Sequence, residues 1–104
     1  MTTRKDQLLS MLENEPKDVF LNYALAMEFL AENNFEKAKQ QFEAVLLINK
    51  EYLACYYQLG QVSEKLSLIN EAIVFYTNGL ELAKRLKNTK AMGELNEALW
   101  LLED

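Results

Sequence analysis

Residues 22–50 read NYALAMEFLAENNFEKAKQQFEAVLLINK, and residues 56–84 read YYQLGQVSEKLSLINEAIVFYTNGLELAK. Superposed at an offset of 34, they place Tyr23 on Tyr57, Leu25 on Leu59, Ala38 on Ala72, Leu46 on Leu80 and Lys50 on Lys84. Ala26 falls on Gly60, Phe35 on Ile69, Phe42 on Tyr76 and Ile48 on Leu82, so small residues meet small ones and large apolar residues meet large ones. Val45 on Gly79 is the exception. A size pattern held in register over two segments marks an internal repeat.

Inside each copy, apolar residues recur at three- and four-residue spacing, the period of a helix. The same spacing continues outward and predicts six helices, at about 4–14, 17–33, 35–49, 52–66, 69–86 and 89–103. Thr3 with Asp6 reads as a capping box, and Pro16 breaks the chain. Asn33-Asn34 suits a turn between helices, because Asn tolerates the left-handed conformation and caps the next N-terminus. Asn88 with Thr89 plays the same role before the last helix.

The chain has 104 residues, half of them apolar and 26% charged, which suits one globular domain. Three Gly and one Pro are too few for a turn-rich all-β fold. Eleven Lys+Arg against sixteen Asp+Glu leave a net charge of −5, the reverse of a duplex-binding balance, so no nucleic-acid partner is expected. There is no His, and the single Cys55 has no Cys partner, so neither a metal site nor an internal disulfide is expected. The start of the chain lacks the apolar run of a signal peptide. The longest uninterrupted apolar run, Ala44–Ile48, is far too short for a membrane helix. The expectation is a cytoplasmic protein without cofactor or membrane partner.

The repeated residues resemble the tetratricopeptide repeats, whose 34-residue helix–turn–helix carries a W-x₂-L-G-x₂-Y…A-x₃-F…P pattern. Tyr56, Leu59, Gly60, Ala72 and Tyr76 match it in the second unit; Leu25, Ala26, Phe29, Ala38 and Phe42 match in the first. Pro16 stands where a repeat-ending proline belongs. The departures are Ser63 in place of an aromatic, Asn22 in place of a bulky residue, and Lys50 and Lys84 in place of proline. The resemblance implies an all-α solenoid of antiparallel helix pairs, wound as a right-handed superhelix. Residues 17–50 and 51–86 would be two repeats, with 1–15 and 88–104 as terminal capping helices of one domain. Apart from the name, Ala26/Gly60 and Ala38/Ala72 are where helix backbones approach closely, and a larger side chain there would overpack.

The resemblance also implies a concave groove lined by the first helix of each pair. Its rows would be Phe20, Tyr23, Met27 and Leu30, then Ala54, Tyr57, Gln58, Gln61 and Glu64. Phe20, Tyr23, Met27 and Leu30 form one ridge by spacing alone, open to a partner or packed on a neighbouring helix. Some relatives hold acidic tails in a carboxylate clamp; the matching positions are Tyr23, Met27, Gln58, Lys90 and Glu94, of which only Lys90 fits. Lys84, Arg85, Lys87 and Lys90 read as cations offsetting a helix dipole, with an anion site as the alternative.

No catalytic constellation is present: Cys55 has no His, and Glu13/Glu15 and Glu103/Asp104 sit at polar helix ends. Trp100 shares a stripe with Gly93 and Glu97, away from the apolar stripe Met92, Leu95, Leu99 and Leu102; it marks a contact surface, is tucked against the fold, or is simply an exposed apolar residue. Leu68, at the turn position of Asn34, is similar. The expected function is a non-catalytic interaction module. Its partner is a protein or peptide with two or three apolar anchors and net positive charge, since Glu64, Glu94 and Glu97 would rim the surface. The alternative is a homodimer closed by the exposed apolar residues.

Overall fold

The computed structural model describes residues 2–103; Met1 and Asp104, the outer ends of the expected capping segments, lie outside the described residues. Six helices follow in order: α1 (Arg4–Asn14), α2 (Val19–Ala31), α3 (Phe35–Ile48), α4 (Leu53–Lys65), α5 (Ile69–Arg85) and α6 (Thr89–Leu101). No strand occurs among the described residues. The fold is an all-α helical repeat. Two compact units divide between Lys50 and Glu51. In the first, α1 packs on α2 and α2 runs along α3; in the second, α4 runs along α5 and α5 packs on α6.

The helix starts follow their caps. The Thr3 hydroxyl accepts from the Asp6 N–H at 3.1 Å while the Asp6 carboxylate accepts from the Thr3 N–H at 3.2 Å, which is the capping box. Asn34 and Asn88 accept from the N–H groups of Lys37 and Ala91 at 3.3 and 3.0 Å. α2 begins two residues later than the periodicity predicts, because Asp18 is its cap and accepts from the Leu21 N–H at 2.9 Å.

Three helix ends close by one device. Asn33, Ser67 and Lys87 adopt φ of 59°, 62° and 57°. The next residue then donates back: Asn34 to the Phe29 carbonyl, Leu68 to that of Ser63, and Asn88 to that of Ala83, at 2.8–2.9 Å. This is a Schellman closure made without glycine.

The cores repeat with the sequence. Leu25, Ala26, Ala38, Phe42 and Val45 are buried in the first unit, as are Leu59, Ala72 and Tyr76 in the second. Tyr23 tilts against Phe42 at 5.5 Å between ring centroids, and Tyr57 against Tyr76 at 6.0 Å. A Cβ on Gly60 would overlap the Tyr76 ring. The size exception also has a reason. Tyr56 stands where the first unit has the smaller Asn22, and a Cβ on Gly79 would lie 2.7 Å from that of Tyr56. On α6, Leu95 and Ala98 are buried, with Met92, Leu99 and Leu102 packed against the same cluster.

Asn22 is buried and fully bonded. Its amide donates to the carbonyls of Pro16 and Asp18 at 3.0 and 2.8 Å and accepts from Gln41 at 2.6 Å. One side chain thus joins the Pro16 turn, α2 and α3. Arg4 pairs with Glu28 and Lys5 with Glu32 at 2.8 and 2.9 Å, tying α1 to α2. Ser63 is fully buried, and its hydroxyl has no hydrogen-bond partner among the described residues.

Candidate partner-binding groove

Within the second unit, α4 and α6 border two adjoining clefts. The first, about 290 Å³, has an apolar lining of Leu53, Ala54, Ala91 and Leu95, with Gln58, Lys90 and Asn88 as its polar groups. The second, about 260 Å³, is lined by Gln61, Glu64, Glu97, Ala98 and Leu101. Tyr57 and Glu94 line both. The register of α4 produces this: Ala54, Tyr57, Gln58, Gln61 and Glu64 recur at three- and four-residue steps and share one face. α6 answers with Lys90, Glu94 and Glu97.

Three carboxylates and one ammonium therefore line the groove. Glu64 accepts a hydrogen bond from the Tyr76 hydroxyl at 2.5 Å, and that hydroxyl accepts from Gln61 at 2.6 Å. Burial first, then the neighbouring Glu64, pushes the Tyr76 phenol well above its usual range, so it stays a donor. Gln58, Lys90 and Glu94, three of the clamp-matching positions, lie together on the first cleft.

The residues expected on the first unit divide differently. Phe20 is 67% exposed and meets Met11 at a cleft of about 340 Å³ between α1 and α2. Tyr23 packs on Phe42 and is half-buried, Leu30 is half-buried, and Met27 is 36% exposed. Trp100 and Leu101 are adjacent on α6 and 68% and 67% exposed, while Leu68 is 37% exposed. Leu53 and Ala91 also line the groove, and Tyr76 is the partner of Glu64, none of which the α4 spacing alone indicates. The available signal was that Phe42, Met27 and Leu30 become Tyr76, Gln61 and Glu64 at the same offset.

Other chemistry is sparse. Burial pushes the Cys55 thiol up to about 12, so it is a poor nucleophile at neutral pH. Among the described residues no group of three or more His, Cys, Asp or Glu could hold a metal ion. Among the same residues no helix is long and apolar enough to cross a membrane. Arg85 pairs with Glu51 at 2.8 Å.

A solution structure of a tetratricopeptide repeat domain protein from Salinibacter ruber matches this chain with a TM-score of 0.79 at 35% identity, covering 85% of this chain and 89% of that one. A crystal structure of a tetratricopeptide repeat domain protein from the same organism matches with a TM-score of 0.76 at 34% identity, covering 82% and 94%. A solution structure of a protein from Bordetella parapertussis shares the fold, with a TM-score of 0.86 at 20% identity over 98% and 89% of the two chains. No family model and no curated protein matches the chain.

Proposed function

The chain belongs to the tetratricopeptide-repeat family, and we propose that it is a non-catalytic, cytoplasmic module that binds a protein or peptide rather than nucleic acid or membrane. Repeats 17–50 and 51–86, capped by 1–15 and 88–104, form one domain in this reading. The observation that carries it is the groove between α4 and α6, with an apolar floor in one half and carboxylates in the other. Such a groove suits a segment with apolar anchors and net positive charge. Tyr57, Gln58 and Gln61 would contact the segment in this groove, and within the first unit the ridge Phe20, Tyr23, Met27 and Leu30 is a separate candidate contact surface.

The partner is recovered by pull-down with the full chain and identified by mass spectrometry. Calorimetry then compares variants: Tyr57→Ala weakens binding by more than about 1 kcal/mol, and Trp100→Ala leaves it unchanged. Unchanged affinity of a folded Tyr57→Ala protein sinks the groove as the site. A second reading, a homodimer, rests on the exposed pair Trp100 and Leu101. Sedimentation equilibrium tests it: a dimer that Trp100→Ala dissociates supports it, and a monomer at high concentration removes it.

A further inference from the structure

Gln61, Tyr76 and Glu64 form a hydrogen-bonded chain beside the second cleft, in which Gln61 donates to the Tyr76 oxygen and Tyr76 donates to Glu64. In the first repeat the same positions are Met27, Phe42 and Leu30. That repeat buries Phe42 as completely as the second buries Tyr76, so helix pairing does not require the three polar groups. All three change together, from an apolar set to a set in which each polar group finds a partner. Packing gives no reason for the change.

The chain's effect is on Glu64. A neutral donor occupies part of one carboxylate oxygen and leaves the charge intact, fixing the group in place. The remaining acceptor positions are available to the cleft, which Glu94 and Glu97 also line, one helical turn apart on α6. None of these three carboxylates has an ion-pair partner among the described residues. A cation entering here meets an acceptor already oriented and leaves bulk water for a concave wall of negative charge.

Resting on the groove reading above, we propose that this cleft receives one lysine or arginine side chain of the bound segment, with Tyr76 as the positioning residue for Glu64. The adjoining cleft of Leu53, Ala54, Ala91 and Leu95 takes an apolar side chain of the same segment. From Ala54 to Gln61, α4 rises about 10 Å, the span of about three extended residues. The occupant is therefore an extended segment carrying an apolar and a basic side chain about three residues apart.

The probe is a random short-peptide library displayed on phage and selected against the full chain. The enriched peptides are synthesised with fluorescein, beside analogues in which arginine becomes citrulline or lysine becomes norleucine. The expected winners carry the apolar–basic spacing. Tyr76→Phe, which leaves the ring under Gly60, weakens them about tenfold, as loss of one charge-assisted contact does. It leaves the neutral analogues within about twofold. If Tyr76→Phe lowers the melting temperature, Glu64→Gln gives the same comparison at the surface of the cleft. Winners that bind equally with and without the cation, yet are lost with Tyr57→Ala, overturn the cation receptor and leave the groove standing. Winners indifferent to Tyr57→Ala, or no winners at all, overturn both.

Discussion

Tyr76 and Gly60 show how one residue's size is set by another's. The ring occupies the space a Cβ on Gly60 would fill, and a fully buried ring has no room to retreat. Gly60→Ala therefore destabilises by about 3 kcal/mol, at the upper end for overpacking. Gly93 has nothing within 4 Å of its Cβ position and lies exposed on α6. Gly93→Ala stabilises by about 1 kcal/mol, because only the backbone-entropy penalty of glycine in a helix is removed. Chemical denaturation of both variants checks the pair; equal effects would show that the close crossing is misplaced. The Cys55 thiol supplies a pH test. Burial holds its folded value at about 12, well above the ordinary range of a thiol, so the native state holds its proton longer than the unfolded chain does. Stability is thus full below pH 9 and falls between pH 9 and 12, by roughly 1 kcal/mol per unit. Tyr76, also raised, acts in the same direction. Thermal melts should show the decline reduced in Cys55→Ala; an identical slope would exclude the thiol as its source.

At the scale of the helix, the periodicity and the offset of 34 made all six elements legible, and polar caps at Thr3, Asn34 and Asn88 located three of the starts. Asn33 was legible as a left-handed residue because its side chain tolerates that conformation. Ser67 and Lys87 were not. Their φ values of 62° and 57° are imposed by the closing hydrogen bonds to the Ser63 and Ala83 carbonyls, which depend on where the next helix leaves. Asn22 was read as a departure for the same kind of reason: its partners Pro16 and Gln41 lie six and nineteen residues away, and no local pattern joins them. The helix ends are accordingly open to improvement. Lys87→Gly should stabilise by about 1 kcal/mol, since the left-handed penalty exceeds glycine's entropic one at that position. A melting temperature that stays put or falls would mean that the Lys87 side chain contributes more than its backbone conformation costs.

At the scale of the molecule, charge and groove would act on different steps of the proposed binding. The chain carries −5 overall, and three of its carboxylates line the groove between α4 and α6. The sequence showed which α4 residues share a face, because helical spacing fixes that. Glu94 and Glu97 of α6 are expected at its rim, but spacing does not show that Leu53 and Ala91 form its apolar floor, because that depends on how α6 crosses α5 through Leu95 and Ala98, a tertiary contact. The long reach of the negative field raises the encounter rate of a basic segment and is screened by salt over about 10 Å at 0.1 M. In the proposed complex, apolar contacts at Leu53, Ala54, Ala91 and Tyr57 would be unaffected by screening and would set how long it lasts. Stopped-flow measurements with a selected basic peptide should therefore show association slowing by roughly tenfold between about 50 and 500 mM salt. Dissociation should change by less than about twofold over the same range. Tyr57→Ala should reverse the pattern, speeding dissociation by about tenfold while sparing the salt dependence of association. If salt instead acts mainly on dissociation, the cation held at Glu64 stays open to solvent and is screened there, and Glu64→Gln should then remove that dependence.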